Sequence, residues 1–295
     1  MSTFGTARAP GSSANLGPGF DVLAIALAAY VEVTVEPSTS FSVSTRGYGA
    51  EVAVGPEHLV ARVARRVLGH DRIHCELSSD LPLARGLGSS AALALVTAAA
   101  LGAPDPLSIA VEFEGHPENA AASMEGGACA AGVIDGEVLV RALPLDPELS
   151  CVVVVPEHRL STERARDALQ ASYQRSDVVF NLQRAVLLGL SLGDLRTLRP
   201  GIFDDRIHQR QRSVLYPQAD QVLAALVEHG ALGACWSGAG STMIGFVAQE
   251  NAEVVATLVR EDLVRQGLEN LEVTALGFDR IGLTLGSERR PWSQR

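Results

Sequence analysis

The chain has 295 residues, of which 47% are hydrophobic, and carries a formal net charge of −10 at pH 7. This length suits one large or two modest domains with a substantial buried core, and the acidic balance argues against a nucleic-acid or acidic-membrane partner. All 24 basic residues are arginine, which excludes a P-loop lysine, the strand lysine of protein kinases and a Schiff-base lysine.

Nothing in the sequence predicts export or membrane insertion. Residues 1–19 carry one arginine and no long apolar block, unlike a signal peptide, and glycines and serines interrupt the apolar stretches before they reach ~20 residues. We therefore expect a soluble cytoplasmic protein. The four cysteines are widely spaced and form no Cys-x-x-Cys pattern: Cys75, Cys129, Cys151 and Cys235. We therefore favour reduced, buried thiols over disulfides or metal ligands.

The first half of the chain is predicted to be rich in strands. Alternating or β-branched stretches predict strands at residues 4–8, 30–36, 41–46, 73–77 and 149–155, and a hairpin at 128–140. Helical spacing predicts helices at residues 57–68, 91–101 and 120–127, with a further helix capped by Asp105. The glycine- and proline-rich residues 9–21 are predicted to be a loop.

The second half is predicted to be mainly helical, with strands at its end. Helices are expected at residues 160–169, with Ser161 or Thr162 as N-cap, and at 176–192, 218–228 and 251–265, and strands at 271–276 and 280–285. A solvated face is the ordinary interpretation of the charged residues 204–212, and the tail after Gly286 is predicted to be disordered. The pattern indicates a two-part α+β protein, divided into domains 1–155 and 156–295.

Residues 82–92, Pro-Leu-Ala-Arg-Gly-Leu-Gly-Ser-Ser-Ala-Ala, read as a phosphate cradle. Gly86 and Gly88 permit positive φ and close approach to an anion, while Ser89 and Ser90 are good N-cap residues for the apolar helix that follows. A glycine turn at a helix N-terminus offers free N–H groups to a phosphate. A tight turn before a core helix is the alternative, and Ala91 in place of the third glycine excludes the strict Rossmann pattern.

Other polar clusters leave two interpretations open. Residues 112–119, Glu-Phe-Glu-Gly-His-Pro-Glu-Asn, suit either a solvated helix end or a metal and substrate site. Residues 237–241, Ser-Gly-Ala-Gly-Ser, suit either a flexible hairpin loop or a second backbone wall of an active site. Turn chemistry alone explains Asn15 and Asp21, and a surface position is the ordinary interpretation of Arg166.

Seven stretches, in order, resemble the GHMP superfamily of small-molecule kinases across nearly the whole chain. They are residues 14–21, 82–92, 114–119, 160–166, 173–181, 205–212 and 237–240. The resemblance implies a two-domain α+β fold with an N-terminal part like ribosomal protein S5 domain 2 and a ferredoxin-like α/β C-terminal part. This chain differs from the family pattern at three positions, with His58 for Asn, Glu118 for Asp and Ser241 for Pro.

The resemblance also implies roles for individual residues. Asp21 would bind the ammonium group of an amino acid, Arg166 and Arg212 would clamp its carboxylate, and Asn119 would lie near the attacking hydroxyl without a dedicated catalytic base. The substrate-binding set is Asn15, Asp21, His116, Arg166 and Arg212, and the catalytic set is Asn119, Arg166 and Arg212. The ATP-binding set is Pro82, Leu83, Ala84, Arg85, Gly86, Leu87, Gly88, Ser89, Ser90, Ala91 and Ala92. Glu114 would hold Mg²⁺, with Glu112 as the less favoured alternative.

The activity implied by the resemblance is ATP- and Mg²⁺-dependent phosphorylation of the side-chain hydroxyl of L-homoserine, a step in threonine biosynthesis. The alternatives are a related kinase acting on threonine or another hydroxy amino acid, and a catalytically idle homologue that binds a ligand as a sensor. We expect only small-molecule substrates as ligands, no nucleic-acid or membrane partner, and a homodimer as the candidate assembly.

Overall fold

The computed structural model describes residues 5–286 and 290–291, which form two β-sheets and the helices that cover them. The strands are β1 (Thr6–Ala14), β2 (Leu23–Pro37), β3 (Ser42–Gly47), β4 (Ile73–Ser79), β5 (Ala128–Ile134), β6 (Glu137–Leu143), β7 (Leu149–Pro156), β8 (Gly233–Trp236), β9 (Met243–Ala248), β10 (Leu271–Leu276), β11 (Thr284–Leu285) and β12 (Arg290–Pro291). The helices are α1 (Leu59–Leu68), α2 (Ser89–Ala100), α3 (Pro106–Glu114), α4 (Glu118–Glu125), α5 (Thr162–Asp167), α6 (Arg175–Ser191), α7 (Gln209–Arg212), α8 (Ala219–Glu228) and α9 (Ala252–Arg265), with 3₁₀ turns at Leu195–Thr197, Pro200–Ile202 and Gln249–Asn251.

The first sheet is organised around the long strand β2. It has the order β12-β11-β1-β2-β4-β3, and β2 also pairs with β5, which continues to β6. All its pairs are antiparallel except β3 with β4. Helix α2 packs against β1 and β2, and ten of its twelve residues are buried, as its composition of alanine, leucine and valine predicts.

The second sheet has the order β10-β7-β9-β8, and all its pairs are antiparallel. Every residue of β7 is buried, so the prediction of a central strand there is confirmed. Helices α8 and α9 cover this sheet. The two-part α+β prediction is confirmed. The domain division after residue 155 stays a prediction. The two sheets do not divide at that residue, because β7 begins before it in the second sheet and β11 lies after it in the first sheet.

Several local predictions were wrong for identifiable physical reasons. Strand β1 continues through Ala14, because Gly11, Ser12 and Ser13 pair with β2 beyond a bulge between Pro10 and Gly11. Residues 280–285 form a strand only at Thr284–Leu285. The N-cap of α2 is Gly88, with a φ of 65°, and Ser89 already belongs to the helix. The N-terminus of α2 therefore has no side-chain cap.

The charged residues 204–212 are only in part a solvated face, with Asp204, Arg206 and Arg210 exposed. They lead into the short helix α7, and His208 and Arg212 are buried, with 0% and 1% exposure. Of the tail predicted to be disordered, Arg290–Pro291 pairs with β11, and residues 287–289 and 292–295 lie outside the described part. All four cysteines are buried and free, as predicted. Across the described ranges, no helix is both long and apolar enough to cross a membrane.

Candidate active site

A cavity of about 290 Å³ lies where the phosphate loop meets α5, α7 and the start of α4. It brings together residues that are more than 200 positions apart in the sequence. Its walls include most of the predicted site: Asn15, Leu83, Ala84, Arg85, Gly86, Gly88, Ser89, Ser90, Glu114, His116, Asn119, Arg166 and Arg212. Of the remaining predicted residues, Leu87, Ala91 and Ala92 belong to the hydrophobic core, Pro82 does not line the cavity, and Asp21 contacts Arg166 beside it.

The phosphate loop presents unused backbone donors to this cavity. Within residues 5–286 and 290–291, none of the six N–H groups from Gly86 to Ala91 donates to a protein acceptor, and the first bonded amide is that of Ala92, to the Gly88 carbonyl. They sit at the N-terminus of a buried helix, where the backbone dipoles favour negative charge. This arrangement is suited to a phosphate.

The glycines of the loop are required by the approach of a second loop. Gly86 has a φ of +79°, and a Cβ there would lie 2.1 Å from the Ser237 carbonyl oxygen. The Ser237 hydroxyl donates to the Gly86 carbonyl at 2.6 Å, and the Thr242 N–H donates to the Arg85 carbonyl at 3.1 Å. Gly238, Ala239 and Gly240 line the cavity, so residues 237–241 form the second backbone wall considered above.

Two side chains attach these loops to the end of β7. Arg85 donates through Nε to the Pro156 carbonyl at 2.8 Å and through an Nη atom to the Glu157 carbonyl at 2.5 Å. The Arg85 guanidinium therefore anchors the phosphate loop to the backbone that follows β7. Ser241 donates its hydroxyl to the His158 carbonyl, a bond that the proline typical of this position cannot make.

The two candidate metal ligands lie in different surroundings. Glu112 is half-exposed, and its two carboxylate oxygens share the Nε–H of Arg66, at 2.9 and 3.0 Å, away from the cavity. Glu114 lines the cavity, where burial raises the pKa of its carboxyl against an opposing hydrogen bond from Ser90. No cluster of three or more metal-ligating side chains occurs in the described chain, but Mg²⁺ held by one carboxylate and nucleotide phosphates requires none. Glu114 fits that requirement better than Glu112.

A buried ion pair joins His116 and Glu118 at the start of α4. The His116 Nδ1 lies 3.0 Å from a Glu118 carboxylate oxygen, and the Glu118 side chain is fully buried. Interaction with Glu118 raises the pKa of His116 despite the opposing effect of burial. The pair thus favours a protonated imidazole beside the cavity, although its contact lacks the alignment of a good hydrogen bond.

Asn119 is held through the oxygen of its side-chain amide. The Ser12 hydroxyl lies 3.0 Å from Oδ1 and 3.1 Å from the Asn119 carbonyl. Because Oδ1 accepts from Ser12, the amide nitrogen is the free end of this side chain, which lines the cavity. An amide nitrogen donates hydrogen bonds and does not accept a proton. Asn119 can therefore orient a ligand oxygen but cannot serve as its base.

The predicted amino-acid ligands Asp21 and Arg166 are paired with each other. Two guanidinium nitrogens of Arg166 donate to the two carboxylate oxygens of Asp21, at 2.9 and 3.0 Å, and both side chains are about one-third exposed. Asn15 holds the turn that carries Asp21: its Oδ1 accepts from the Asp21 N–H at 2.8 Å, and its Nδ2 donates to the Gly238 carbonyl at 3.0 Å.

Arg212 is a buried cation without an acidic partner. Its guanidinium donates to the Gly238 carbonyl at 2.9 Å and to His208 Nδ1 at 3.1 Å, and no described carboxylate forms an ion pair with it. Burial lowers the pKa of Arg212 to about 10, which still leaves it charged at pH 7. A buried, unpaired charge is costly, so this arginine, which lines the cavity, is poised for an anion.

Three residues that sequence reasoning did not single out position the arginines. Because Arg212 can only donate, His208 accepts at Nδ1 and donates from Nε2 to the Gly17 carbonyl, at 2.6 Å. Burial lowers the pKa of His208 to about 4, so the ring is neutral. Asp205 accepts the backbone N–H groups of residues 207–209 and fixes the start of α7. Phe20 lies beneath both guanidiniums, with centroid distances of 5.3 and 5.7 Å.

The family comparisons agree with this geometry. The model "GHMP kinases N terminal domain" matches residues 58–127, and "GHMP kinases C terminal" matches residues 183–264. Fold and family models thus define a GHMP kinase, a small-molecule phosphotransferase.

Curated relatives narrow the class. Homoserine kinase of Desulfitobacterium hafniense is 35% identical, covering 88% of this chain and 93% of the relative, and that of Moorella thermoacetica is 40% identical, covering 81% and 86%. The crystal structure of homoserine kinase from Cytophaga hutchinsonii matches with a TM-score of 0.80 at 26% identity, over 97% of this chain and 98% of that one. The chain belongs to the homoserine kinase family.

Proposed function

We propose that the cavity transfers the γ-phosphoryl group of ATP to the side-chain hydroxyl of L-homoserine. One observation carries the proposal: the free backbone amides of Gly86, Gly88, Ser89 and Ser90 and the unpaired, buried guanidinium of Arg212 belong to the walls of the same cavity. The amides suit a nucleotide phosphate, and the guanidinium suits the carboxylate of an amino acid. The bond between the γ-phosphorus and the bridging oxygen breaks, a bond to the homoserine oxygen forms, the hydroxyl proton passes to solvent, and ADP leaves.

The phosphate end of the site consists of the amides of Gly86, Gly88, Ser89 and Ser90 and the Glu114 carboxylate. Glu114 would hold Mg²⁺ together with the phosphate oxygens, and the metal supplies charge stabilisation to the transferring group. The raised pKa of Glu114 reflects the burial of a carboxylate without a cation. A bound cation would favour its ionised form.

The amino-acid end consists of Arg212, Arg166, Asp21 and His116. The arginines bind the carboxylate, Asp21 takes the ammonium group, and His116 lines the same cavity. Asn119 orients the attacking hydroxyl through its amide nitrogen. No residue in this set acts as a strong base, and a loose phosphoryl-transfer transition state requires little deprotonation of the nucleophile.

A coupled ADP-release assay tests the proposal. Purified protein with ATP and Mg²⁺ should release ADP when L-homoserine is added, and much more slowly with threonine, serine or mevalonate. ADP release that is equal with and without homoserine would contradict it. The two alternatives, a kinase for another hydroxy amino acid and an idle sensor, are not favoured, because curated relatives over most of the chain are homoserine kinases.

We also infer a homodimer, and the exposed face of α6 is the surface that supports it. Val179, Leu182, Val186 and Leu190 form one apolar stripe, and the last three are each more than 60% exposed. If α6 packs antiparallel against the α6 of a second copy, residue 179 would face residue 190 and residue 182 would face residue 186. Both pairs are centred near residue 184, so one symmetric arrangement brings them into contact together. Sedimentation velocity should show a dimer. V186E should dissociate this dimer, whereas V254E, at an exposed position of α9, should leave it intact.

The absence of nucleic-acid and membrane partners and the cytoplasmic location remain predictions. They rest on the net charge of −10 and on the lack of an apolar span in the sequence. Retention on a heparin or anionic-vesicle column at physiological salt would contradict the first of them.

A further inference from the structure

A second cavity, of about 200 Å³, adjoins the phosphate end of the candidate active site. The two cavities share Leu83, Ser89 and Ser90 in their walls. Most of the remaining wall is apolar, with Val31 and Leu93 among its residues. If the phosphates of ATP occupy the loop as proposed above, this apolar cavity is the adjacent place for the flat purine base.

His58 is a largely buried polar group in this wall, with 8% exposure. It is the N-cap of α1, where its Nδ1 accepts from the Val60 N–H at 3.3 Å. The proton of the neutral ring is therefore on Nε2, and burial lowers the pKa of His58, which favours the neutral form. Nε2 has no hydrogen-bond partner anywhere in the described chain, so it offers the cavity a donor and no acceptor.

We propose that His58 determines nucleotide preference as a donor-only contact to the purine base. Such a group binds a ring nitrogen or a 6-oxo oxygen, both of which are acceptors, but cannot accept a bond from the 6-amino group of adenine. A donor-only contact therefore does not discriminate against a 6-oxo purine. The chain uses ATP and ITP with similar affinity, unlike a site whose side chain both donates to and accepts from adenine.

Of the other polar side chains of this cavity, Ser89 and Ser90 lie at the end that it shares with the phosphate site, and Tyr48 and Ser79 have partners elsewhere. The Tyr48 hydroxyl donates to Glu272, and the Ser79 hydroxyl donates to the Leu81 carbonyl and accepts the Leu81 N–H. Glu57 lines the cavity but is exposed, so water competes for its carboxylate. A variant E57Q should accordingly leave the ATP-to-ITP ratio unchanged.

Two substitutions separate base contact from helix capping, because asparagine and serine are both good N-cap residues. H58N keeps the cap through its side-chain oxygen, which leaves the amide nitrogen as a donor toward the base, and H58S keeps the cap with a side chain too short for contact. Calorimetric titration without homoserine gives the affinities for ATP, ITP and inorganic tripolyphosphate, and thermal melting checks the fold of each variant.

Wild-type protein should bind ATP and ITP within about 3-fold of each other. H58S should weaken both by ~3- to 10-fold, the change expected from one neutral hydrogen bond, and H58N, which like the wild type presents only a donor, should bind ATP and ITP within about 3-fold of each other. Tripolyphosphate affinity should be the same in all three proteins. A wild-type preference for ATP above ~10-fold, or unchanged ATP and ITP binding in H58S, would overturn the inference. Wild-type protein that binds neither tripolyphosphate nor ATP would overturn the proposed function, and this inference with it.

Discussion

Replacing Arg212 with methionine should separate function from stability. Methionine fills similar space without charge, and the substitution removes hydrogen bonds to Gly238 and His208. It also removes the desolvation cost of a guanidinium that has no described acidic partner. These effects oppose each other, so we expect the free energy of unfolding of the ligand-free protein to change by less than about 1.5 kcal/mol.

Homoserine affinity should respond very differently to R212M. Loss of one side of a buried, charged contact costs about 2–4 kcal/mol, or ~30- to 1000-fold in affinity. In steady-state assays, the Michaelis constant for homoserine should rise by this factor, and the Michaelis constant for ATP should be nearly unchanged. Urea unfolding curves of the same proteins measure stability. R210M, at an exposed position of α7, is the matched control. An unchanged homoserine constant in a folded R212M protein would refute the anion-binding role.

Three further substitutions test the supports of the site. G86A should abolish ATP binding and lower the unfolding temperature, since its φ of +79° and its backbone contact leave no room for a Cβ. H208F should raise the homoserine constant more than the ATP constant, because it removes the acceptor that holds Arg212; equal effects on both would indicate general damage. E118Q should lower the pKa of His116, measured by NMR. The pKa of His116 in the folded protein is raised above 6.5. The His116–Glu118 pair therefore stabilises the folded protein fully below pH 6.5. The difference in unfolding free energy between wild type and E118Q should shrink as the pH rises through the folded pKa.

The phosphate end of the site was predictable from sequence because it is a local feature. Residues 82–92 contain the turn, the glycines and the buried helix in one stretch, and backbone amides need no distant partner to be recognised. The fault in that prediction was also local: a serine was expected at the N-cap, but a residue with positive φ was required there, which favours Gly88.

The amino-acid end was predictable only through resemblance, because its geometry depends on tertiary packing. The composition of residues 204–212 is that of a solvated face, and nothing in their spacing indicates that Asp205 caps α7 or that His208 and Arg212 point inward. Phe20 was hidden in a turn-rich segment, and its contact with both guanidiniums joins three distant parts of the chain.

The bidentate pair of Asp21 and Arg166 makes a prediction about which ligands can enter. A zwitterionic amino acid can replace this pair, because its ammonium group meets Asp21 as its carboxylate meets Arg166, and no ion is left alone. A ligand with only one charge separates the pair and leaves one partner without a counter-ion. The site should therefore reject both 4-hydroxybutyrate, which lacks the ammonium group, and 3-aminopropanol, which lacks the carboxylate.

Each analogue should bind ~10- to 100-fold more weakly than homoserine, the range expected for one charged hydrogen bond. Competition against homoserine in the ADP-release assay measures this difference. In D21N the pair is already broken, so the penalty for the missing ammonium group should largely disappear and 4-hydroxybutyrate should approach homoserine in affinity. If D21N discriminates between the two as strongly as wild type does, the ammonium group is held elsewhere, and the exchange between internal and ligand ion pairs does not occur.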